Sequence, residues 1–311
     1  MKSDILAAID IGSNAVRLLI NYVEIEDAAY TLKKVAYLRV PIRLGEDVFT
    51  RCRVSDAKAE RLLEAMRGFR HIMRAYGVSD YRACATSAMR DAVNGAELAA
   101  AVRENSGIAI EIISGEEEGN IIHTASPSAG DGATLYVNVG GGSTEFVLCK
   151  DNQLRFHDSF QLGTVRMLIR NAGKNVAAWD TEKERFTLNL KDIHARYAPP
   201  RVIASGGNIN KAHKMLGKKS GDPIRPDELR DLLAKLKPLS IAERMRDFGL
   251  NDYRADVIVP ALEIFLCISR ACPSMRNIHV PKIGLADGLI HEMCKKRLAA
   301  GTYNQEEKHV R

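Results

Sequence analysis

Hydrophobic and polar positions alternate along the first third of the chain in blocks that read as strands joined by short polar turns. Residues 4–10 form an apolar run, Gly12-Ser13-Asn14 a turn, residues 15–23 a second apolar run, and residues 30–41 a looser alternation that predicts a further strand. The clearest helix spans 55–76: Ser55 is placed to cap it, Leu62, Leu63, Met66, Phe69, Ile72 and Met73 recur on one face, and Gly77 ends it. A strand over 81–86, a helix over 94–105 and a strand over 108–113 follow. Strands and helices in this order predict α/β architecture.

The device then repeats. Residues 134–139 are an apolar strand, Gly140-Gly141-Gly142-Ser143-Thr144 a glycine-rich turn, and residues 145–149 the return strand. Set against Ile9-Asp10-Ile11-Gly12-Ser13-Asn14, this reads as an internal duplication, each half opening with a hairpin whose tip suits a phosphate. Beyond residue 164 the pattern turns helical, over 164–172, 180–197, 208–217, 226–236, 254–270 and 286–298, with short strands at 201–204 and 277–280. The expected organisation is a first unit over 1–121, a second over 122–300 with added helices, a polar tail over 301–311, and a cleft between the two units.

Composition narrows the class. The 311 residues are 46% apolar and 27% charged, ordinary for globular chains. Only five apolar residues precede Asp10, too few for a signal peptide, and no apolar run approaches the ~18 residues of a membrane span. A cytoplasmic protein with no membrane partner is therefore expected. The six cysteines form no CxxC pair and share no ligand spacing with histidine, which argues against structural zinc. Cys84 and Cys149 fall in apolar strands and are expected as buried thiols. A net charge of +6 suits an anionic ligand, while the absence of an aromatic ladder among basic residues argues against nucleic acid. A homodimer is among the expected assemblies.

Three glycine turns carry the candidate chemistry: Gly12-Ser13-Asn14, Gly140 to Thr144, and Ser205-Gly206-Gly207-Asn208. Without Cβ atoms such turns bring several N–H groups against one anion, and the third opens a helix. Singly, each is more often a tight turn; three with internal symmetry favour phosphate. None has the Gly-Lys-Ser/Thr ending of a P-loop. Asp10, Glu145 and Glu116-Glu117-Glu118 lie beside these turns, where carboxylates hold magnesium or orient water, although acids in a helix's first turn also favour its dipole. Arg90, just past a strand end, is the preferred cationic contact, since Arg matches phosphate bidentately. Lys211, Lys214, Lys218 and Lys219 form a candidate track for a longer anion. His123 and His157 are expected to be structural, and no covalent-catalysis motif is present.

Six segments, Asp10-Ile11-Gly12-Ser13-Asn14, Ala85-Thr86-Ser87-Ala88-Met89-Arg90, Ile113-Ser114-Gly115-Glu116-Glu117-Glu118, Gly140-Gly141-Gly142-Ser143-Thr144-Glu145, Gln161-Leu162-Gly163-Thr164-Val165-Arg166 and Ser205-Gly206-Gly207, resemble the exopolyphosphatase/guanosine pentaphosphate phosphohydrolase (Ppx/GppA) family in its order. Arg254-Ala255-Asp256-Val257-Ile258 and Gly284-Leu285-Ala286-Asp287-Gly288-Leu289 extend the match. The resemblance implies two ribonuclease-H-like units of the actin/hexokinase/acetate-kinase superfamily around a cleft, in the short two-domain form. It implies that Glu118 is the general base, Arg90 a phosphate ligand, and Gly12, Ser13, Asn14, Gly140, Gly141, Gly142, Ser143, Thr144, Gly206, Gly207 and Asn208 the phosphate cradle. It also implies Mg2+ held on the side of Asp10, Glu145 and position 138, with inorganic polyphosphate or guanosine pentaphosphate as substrate. Three positions depart from the family pattern. Asn138 stands where an Asp is usual, Ala15 where a Ser or Thr is common, and Asn208 where a Thr is usual. Exopolyphosphatase is the expected activity; pentaphosphate hydrolysis, a polyphosphate or nucleotide sensor with weak turnover, and a superfamily kinase are the alternatives.

Overall fold

The computed structural model of the chain describes residues 2–26, 29–127, 132–173 and 179–299. Each half is built on a five-stranded mixed sheet. The first sheet comprises β1 (Lys2–Ile11), β2 (Val16–Glu26), β3 (Ala29–Val40), β4 (Asp80–Ala85) and β5 (Glu111–Ile112), in the order β3-β2-β1-β4-β5. Helices α1 (Leu44–Arg51), α2 (Asp56–Ala75), α3 (Ser87–Asp91), α4 (Gly95–Ser106) and α5 (Gly115–Ala125) accompany it. The second sheet comprises β6 (Ala133–Val139), β7 (Thr144–Lys150), β8 (Gln153–Phe160), β9 (Arg201–Ser205) and β10 (Asn277–His279), in the order β8-β7-β6-β9-β10. Its helices are α6 (Thr164–Asn171), α7 (Trp179–Tyr197), α8 (Gly207–Met215), α9 (Pro226–Leu236), α10 (Ile241–Phe248), α11 (Asp252–Ala255), α12 (Ile258–Ala271) and α13 (Leu285–Ala299).

The two orders correspond strand for strand. An antiparallel three-stranded meander, β1-β2-β3 or β6-β7-β8, is extended by parallel strands on the far side of its first member. That matches the duplication and the α/β, ribonuclease-H-like architecture read from the sequence. The strand over 153–160 and the helices over 44–51 and 241–248 were not foreseen, and the helix expected over 254–270 is divided between α11 and α12.

Strand β1 reads as continuously apolar because both of its faces are covered. Ala7, Ile9 and Ile11 pack with Leu62, Met66 and Phe69 of α2, while Leu6 and Ala8 pack with Ile121 and Ile122 of α5 and with Leu289, Ile290 and Met293 of α13. The last helix thus returns to the first sheet rather than staying with the unit where the sequence placed it. Its Gly288 lies so close to the Ile121 backbone that a side chain there would collide. The expected boundary between 121 and 122 falls inside α5, which packs on the second sheet and shares an apolar cluster with β1 of the first. The second core is centred on Phe146, Phe160 and Phe186, whose ring centroids lie 5.1–5.2 Å apart in tilted and edge-on pairs. Truncating one such ring to Ala typically costs about 3–5 kcal/mol.

The polar tail expected over 301–311 lies outside the described residues. Among the described residues no helix is long and apolar enough to cross a membrane. All six cysteines are free, and Cys84 and Cys149 are buried thiols as expected.

Candidate active site

The tips of the two hairpins meet between the sheets. Each is closed the same way, by Gly12 N–H to Ala15 O at 3.1 Å and by Gly140 N–H to Ser143 O at 3.0 Å. Helix α1 holds the first tip through Gly45 N–H to Ser13 O at 2.8 Å. Arg166 holds the second: its Nε donates to Gly142 O at 2.6 Å, its guanidinium lies 3.8 Å from the Phe49 ring, and it pairs with Asp91 of the first half. Gly142 is pressed against Ser13, Phe49 and Ser87, where a Cβ would overlap the Ser87 hydroxyl. Gly206 adopts φ +114°, and a Cβ there would sit 2.7 Å from Val139 O. Glycine at these two positions lets the three turns approach one another. With Thr86 and Ser87 they wall a cleft of about 390 Å3.

Two acids, Asp10 and Glu118, line this cleft from different elements, and a third, Glu145, is bound to the lining residue Asn138. Asp10, at the end of β1, is buried and paired with Arg17 of β2 at 2.5 Å. Glu145, the second residue of β7, is 1% exposed. Glu118 lies in the first turn of α5, which Ser114 caps by accepting from Glu117 N–H at 3.0 Å. Of the three consecutive glutamates only Glu118 is buried; Glu116 and Glu117 face outward, where they favour the helix dipole. Burial, then repulsion from Glu145 and Asp10, pushes the Glu118 carboxyl well above the usual carboxylate range, with Arg90 and Arg17 opposing. Burial also raises Glu145, while Ser143, Asn138, Arg90 and Ser159 favour its charged form.

Asn138 sits between two of these acids. Its Nδ2 donates to Glu145 Oε2 at 2.7 Å and more weakly to Glu118 Oε1 at 3.4 Å, and its Oδ1 accepts from Ser205 Oγ at 3.2 Å. The other oxygen of Glu145 accepts from Ser159 at 3.2 Å. Glu145 and Asn138 are thus hydrogen-bonded to each other and to serines. Among the described residues no cluster of three or more metal-ligating side chains is assembled. Of that expected set Asp10 and Asn138 line the cleft, and Asp10 is its carboxylate there. A magnesium ion commonly takes one or two carboxylates together with substrate phosphate oxygens and water, and Asp10 fits that pattern.

The cleft also collects buried polar atoms that lack a hydrogen-bond partner within the protein. Ser13 Oγ, Asn14 Oδ1, Ser87 Oγ, Glu118 Oε2 and Asn210 Oδ1 are all in this state, and all belong to residues lining the cleft. Each such group left unpaired costs about 1–3 kcal/mol, so their convergence marks a place built to receive a polar ligand or water.

The structure brings together Asp10, Gly12, Ser13, Asn14, Glu118, Asn138, Gly140, Gly141, Gly142, Ser143, Gly206 and Gly207 from the expected set. It does not bring in Thr144, whose hydroxyl donates to Leu162 O at 2.6 Å beneath the turn. Nor does Asn208 line the cleft; Asn210, two positions on along α8, does. Arg90 stands behind the wall, donating to Ile113 O at 2.9 Å and acting on Glu118 and Glu145 through its charge. Of the lysine track, Lys218 is tied to Glu228 at 2.7 Å and Lys211 donates to Gly249 O at 3.2 Å. Sequence reasoning missed Arg17, Ser87 and Asn210. Arg17 could have been found by folding the hairpin on paper, since a tight turn at 12–15 sets it opposite Asp10.

Comparisons with known proteins agree with this architecture. A family model described as the Ppx/GppA phosphatase family matches residues 23–297. Proteins named guanosine-5'-triphosphate,3'-diphosphate pyrophosphatase from Aeromonas salmonicida and Aeromonas hydrophila are each 24% identical over 304 residues, covering 94% of this chain and 58% of their own length. The chain therefore spans less than two thirds of these relatives. The solved structure of a Ppx/GppA family member from Aquifex aeolicus is 25% identical with a TM-score of 0.74, covering 95% of this chain and 99% of that one. An exopolyphosphatase structure from Cytophaga hutchinsonii, 22% identical, superposes with a TM-score of 0.83 over 94% and 98% of the two chains and shares the fold. The hairpin tips, the buried glutamate behind them and the match over residues 23–297 lead to one conclusion: the chain belongs to the Ppx/GppA phosphatase family.

Proposed function

We propose that the chain is an exopolyphosphatase, which removes the terminal phosphate of inorganic polyphosphate by attack of a water that Glu118 activates. The observation that carries this reading is Glu118 Oε2, a buried carboxylate oxygen without a hydrogen-bond partner in the protein, on the wall of a cleft lined by three glycine turns. The terminal phosphate binds against the N–H groups of those turns and the free hydroxyls of Ser13 and Ser87. Arg17 and Arg90 add positive charge without closing the cleft. The water oxygen bonds to the terminal phosphorus, its proton passes to Glu118 Oε2, and the bridging P–O bond breaks to release the shortened chain. Phosphoryl transfer of this kind is mostly positioning and charge neutralisation, which is what the loops and guanidinium groups supply.

A raised carboxyl makes a stronger base once it is deprotonated, so turnover rises with pH through the Glu118 titration. Magnesium, when bound, would be held by Asp10 and would neutralise charge on the phosphate oxygens. A second reading is hydrolysis of guanosine pentaphosphate to the tetraphosphate, favoured by the likeness to the two Aeromonas pyrophosphatases. The same bond chemistry and the same residues serve either substrate.

Polyphosphate of defined length, incubated with the protein and resolved by chain length, tests the proposal. Release of orthophosphate with chains shortened one unit at a time is expected. Internal fragments, or no orthophosphate from polyphosphate while pentaphosphate is converted, would contradict the exopolyphosphatase reading.

A further inference from the structure

We infer that the edge strand β3 carries a second anion-binding track, formed by Arg39, Tyr37 and Lys34, for the phosphates of the substrate that lie beyond the one attacked. The inference rests on the phosphohydrolase reading and says where the remainder of the substrate runs.

The argument starts from strand register. Asp10, Arg17 and Arg39 are directly opposed across β1, β2 and β3, and therefore stand in a row on one face of the first sheet. One step along, Tyr37 lies opposite Leu19 on that same face. A bulge then intervenes: Ala36 pairs with Ile20 but Lys34 with Asn21, so Val35 is the extra residue. Without the bulge Lys34 would face away. With it, Lys34, Tyr37 and Arg39 share one face of an edge strand, and Lys34 and Tyr37 line the cleft.

Charge along the row is unbalanced. Arg17 is matched by Asp10, but Arg39 has no carboxylate partner among the described residues, and its Nε and Nη1 atoms are buried without hydrogen bonds. Its guanidinium is held over the ring of Tyr253 from the opposite half, 4.2 Å from the centroid. Burial and the nearby charges of Arg17 and Arg254 pull its pKa down to about 10. Arg39 thus feels the charges of Arg17 and Arg254, both of which line the cleft, with Asp10 already paired to Arg17, an arrangement that disfavours the empty protein and favours an arriving polyanion. Further out, Lys34 lies 5.5 Å from the Tyr37 ring and only 3.7 Å from Asp287, a partly exposed pair that still leaves its ammonium half open to solvent. Tyr37, 52% exposed, lies between the two cations. A guanidinium, an aromatic face and an ammonium in sequence suit a chain of phosphates, or a phosphate chain that ends in a nucleoside.

Calorimetric binding of pyrophosphate, tripolyphosphate and guanosine pentaphosphate to wild type and to Arg39→Gln tests the track, whether or not turnover is seen. The variant is expected to bind tripolyphosphate and pentaphosphate about tenfold more weakly, the usual order for loss of a charged hydrogen-bond donor. Pyrophosphate affinity should stay within twofold, and the melting temperature should not fall, because a repelled charge has been removed. Tyr37→Ala distinguishes the sources. A selective loss for pentaphosphate puts a base on the ring, an equal loss for both puts an inorganic chain there, and both outcomes require the track. Unchanged tripolyphosphate affinity in Arg39→Gln, or an equal loss for pyrophosphate, overturns the inference. If wild type binds these anions normally but releases no orthophosphate, the functional reading fails while the track stands.

Discussion

The two hairpins share a backbone plan and differ in the pair of side chains held across it. In the first, the last inward residue of β1 is Asp10 and its cross-strand partner is Arg17, an acid matched by a cation. In the second, the corresponding residue of β6 is Asn138 and its partner is Glu145, an acid matched by an amide. The first pair is neutral overall and the second carries a negative charge, to which α5 adds Glu118. On the proposed function one scaffold does two jobs. The first hairpin presents a matched pair and a free hydroxyl to an anion. The second, with Glu118 of α5 beside it, surrounds a carboxylate that burial and neighbouring acids hold above its ordinary range. The glycine turns are common to both because close backbone approach is needed on both sides of the cleft.

Removing the base breaks the comparison most severely. Glu118→Gln keeps the shape but cannot accept a proton, so turnover should fall by about 10²–10⁴-fold while polyphosphate binding is retained. Parallel rate and calorimetric measurements check this; a variant within a few-fold of wild type would move the role to another group.

Making the second hairpin acidic on both strands comes next. Asn138→Asp replaces a donor with a carboxylate opposite Glu145, leaving two like charges in a buried cross-strand pair. We expect a loss of about 2–3 kcal/mol in the metal-free protein, from the lost hydrogen bond to a charged acceptor and the new repulsion. Added magnesium should recover part of it, giving the variant a larger melting-temperature rise with the ion than wild type shows. Equal shifts in the two proteins would mean that position 138 does not control cation affinity.

Arg17→Met unbalances the first hairpin instead. Asp10 loses its partner in a partly buried site, which should cost about 1–2 kcal/mol in chemical denaturation and weaken phosphate binding. A variant as stable as wild type would show that the pair is solvent-screened.

The smallest effect is a slope. Because the native Glu118 carboxyl keeps its proton above the pH at which the unfolded chain loses it, the native state binds more protons in that window. Stability contributed there is full below the unfolded carboxylate pKa and is lost as pH rises through the raised native value. Glu118→Gln should flatten this decline, by up to about 1.4 kcal/mol per pH unit for one proton. Parallel stability–pH curves for the two proteins would contradict the raised titration.

Much of this comparison is legible in the sequence alone. Continuous apolar runs around Gly12-Ser13-Asn14 and around Gly140 to Thr144 could only be buried strands joined by tight turns, and the glycines marked where backbone approaches backbone. What escaped was whatever depends on strand pairing or on which way a helix returns. Arg17, Tyr37 and Arg39 come to one face through register, and Lys34 through a bulge that no local pattern announces. Thr144 read as a phosphate ligand because its hydroxyl closes a glycine-rich turn; a hydrogen bond to the Leu162 carbonyl turns that hydroxyl under the loop. The strand over 153–160 was hidden by a polar, half-exposed sequence. The last helix was assigned by proximity in the chain, whereas its apolar face fits the first sheet.

Hydrolysis in water enriched in oxygen-18 tests the central claim, that a water at Glu118 attacks the terminal phosphorus. With polyphosphate as substrate, each released orthophosphate should carry one labelled oxygen from solvent and the shortened chain none, at a rate that collapses in Glu118→Gln. Label appearing in the remaining chain, or label uptake unaffected by that substitution, would contradict the account.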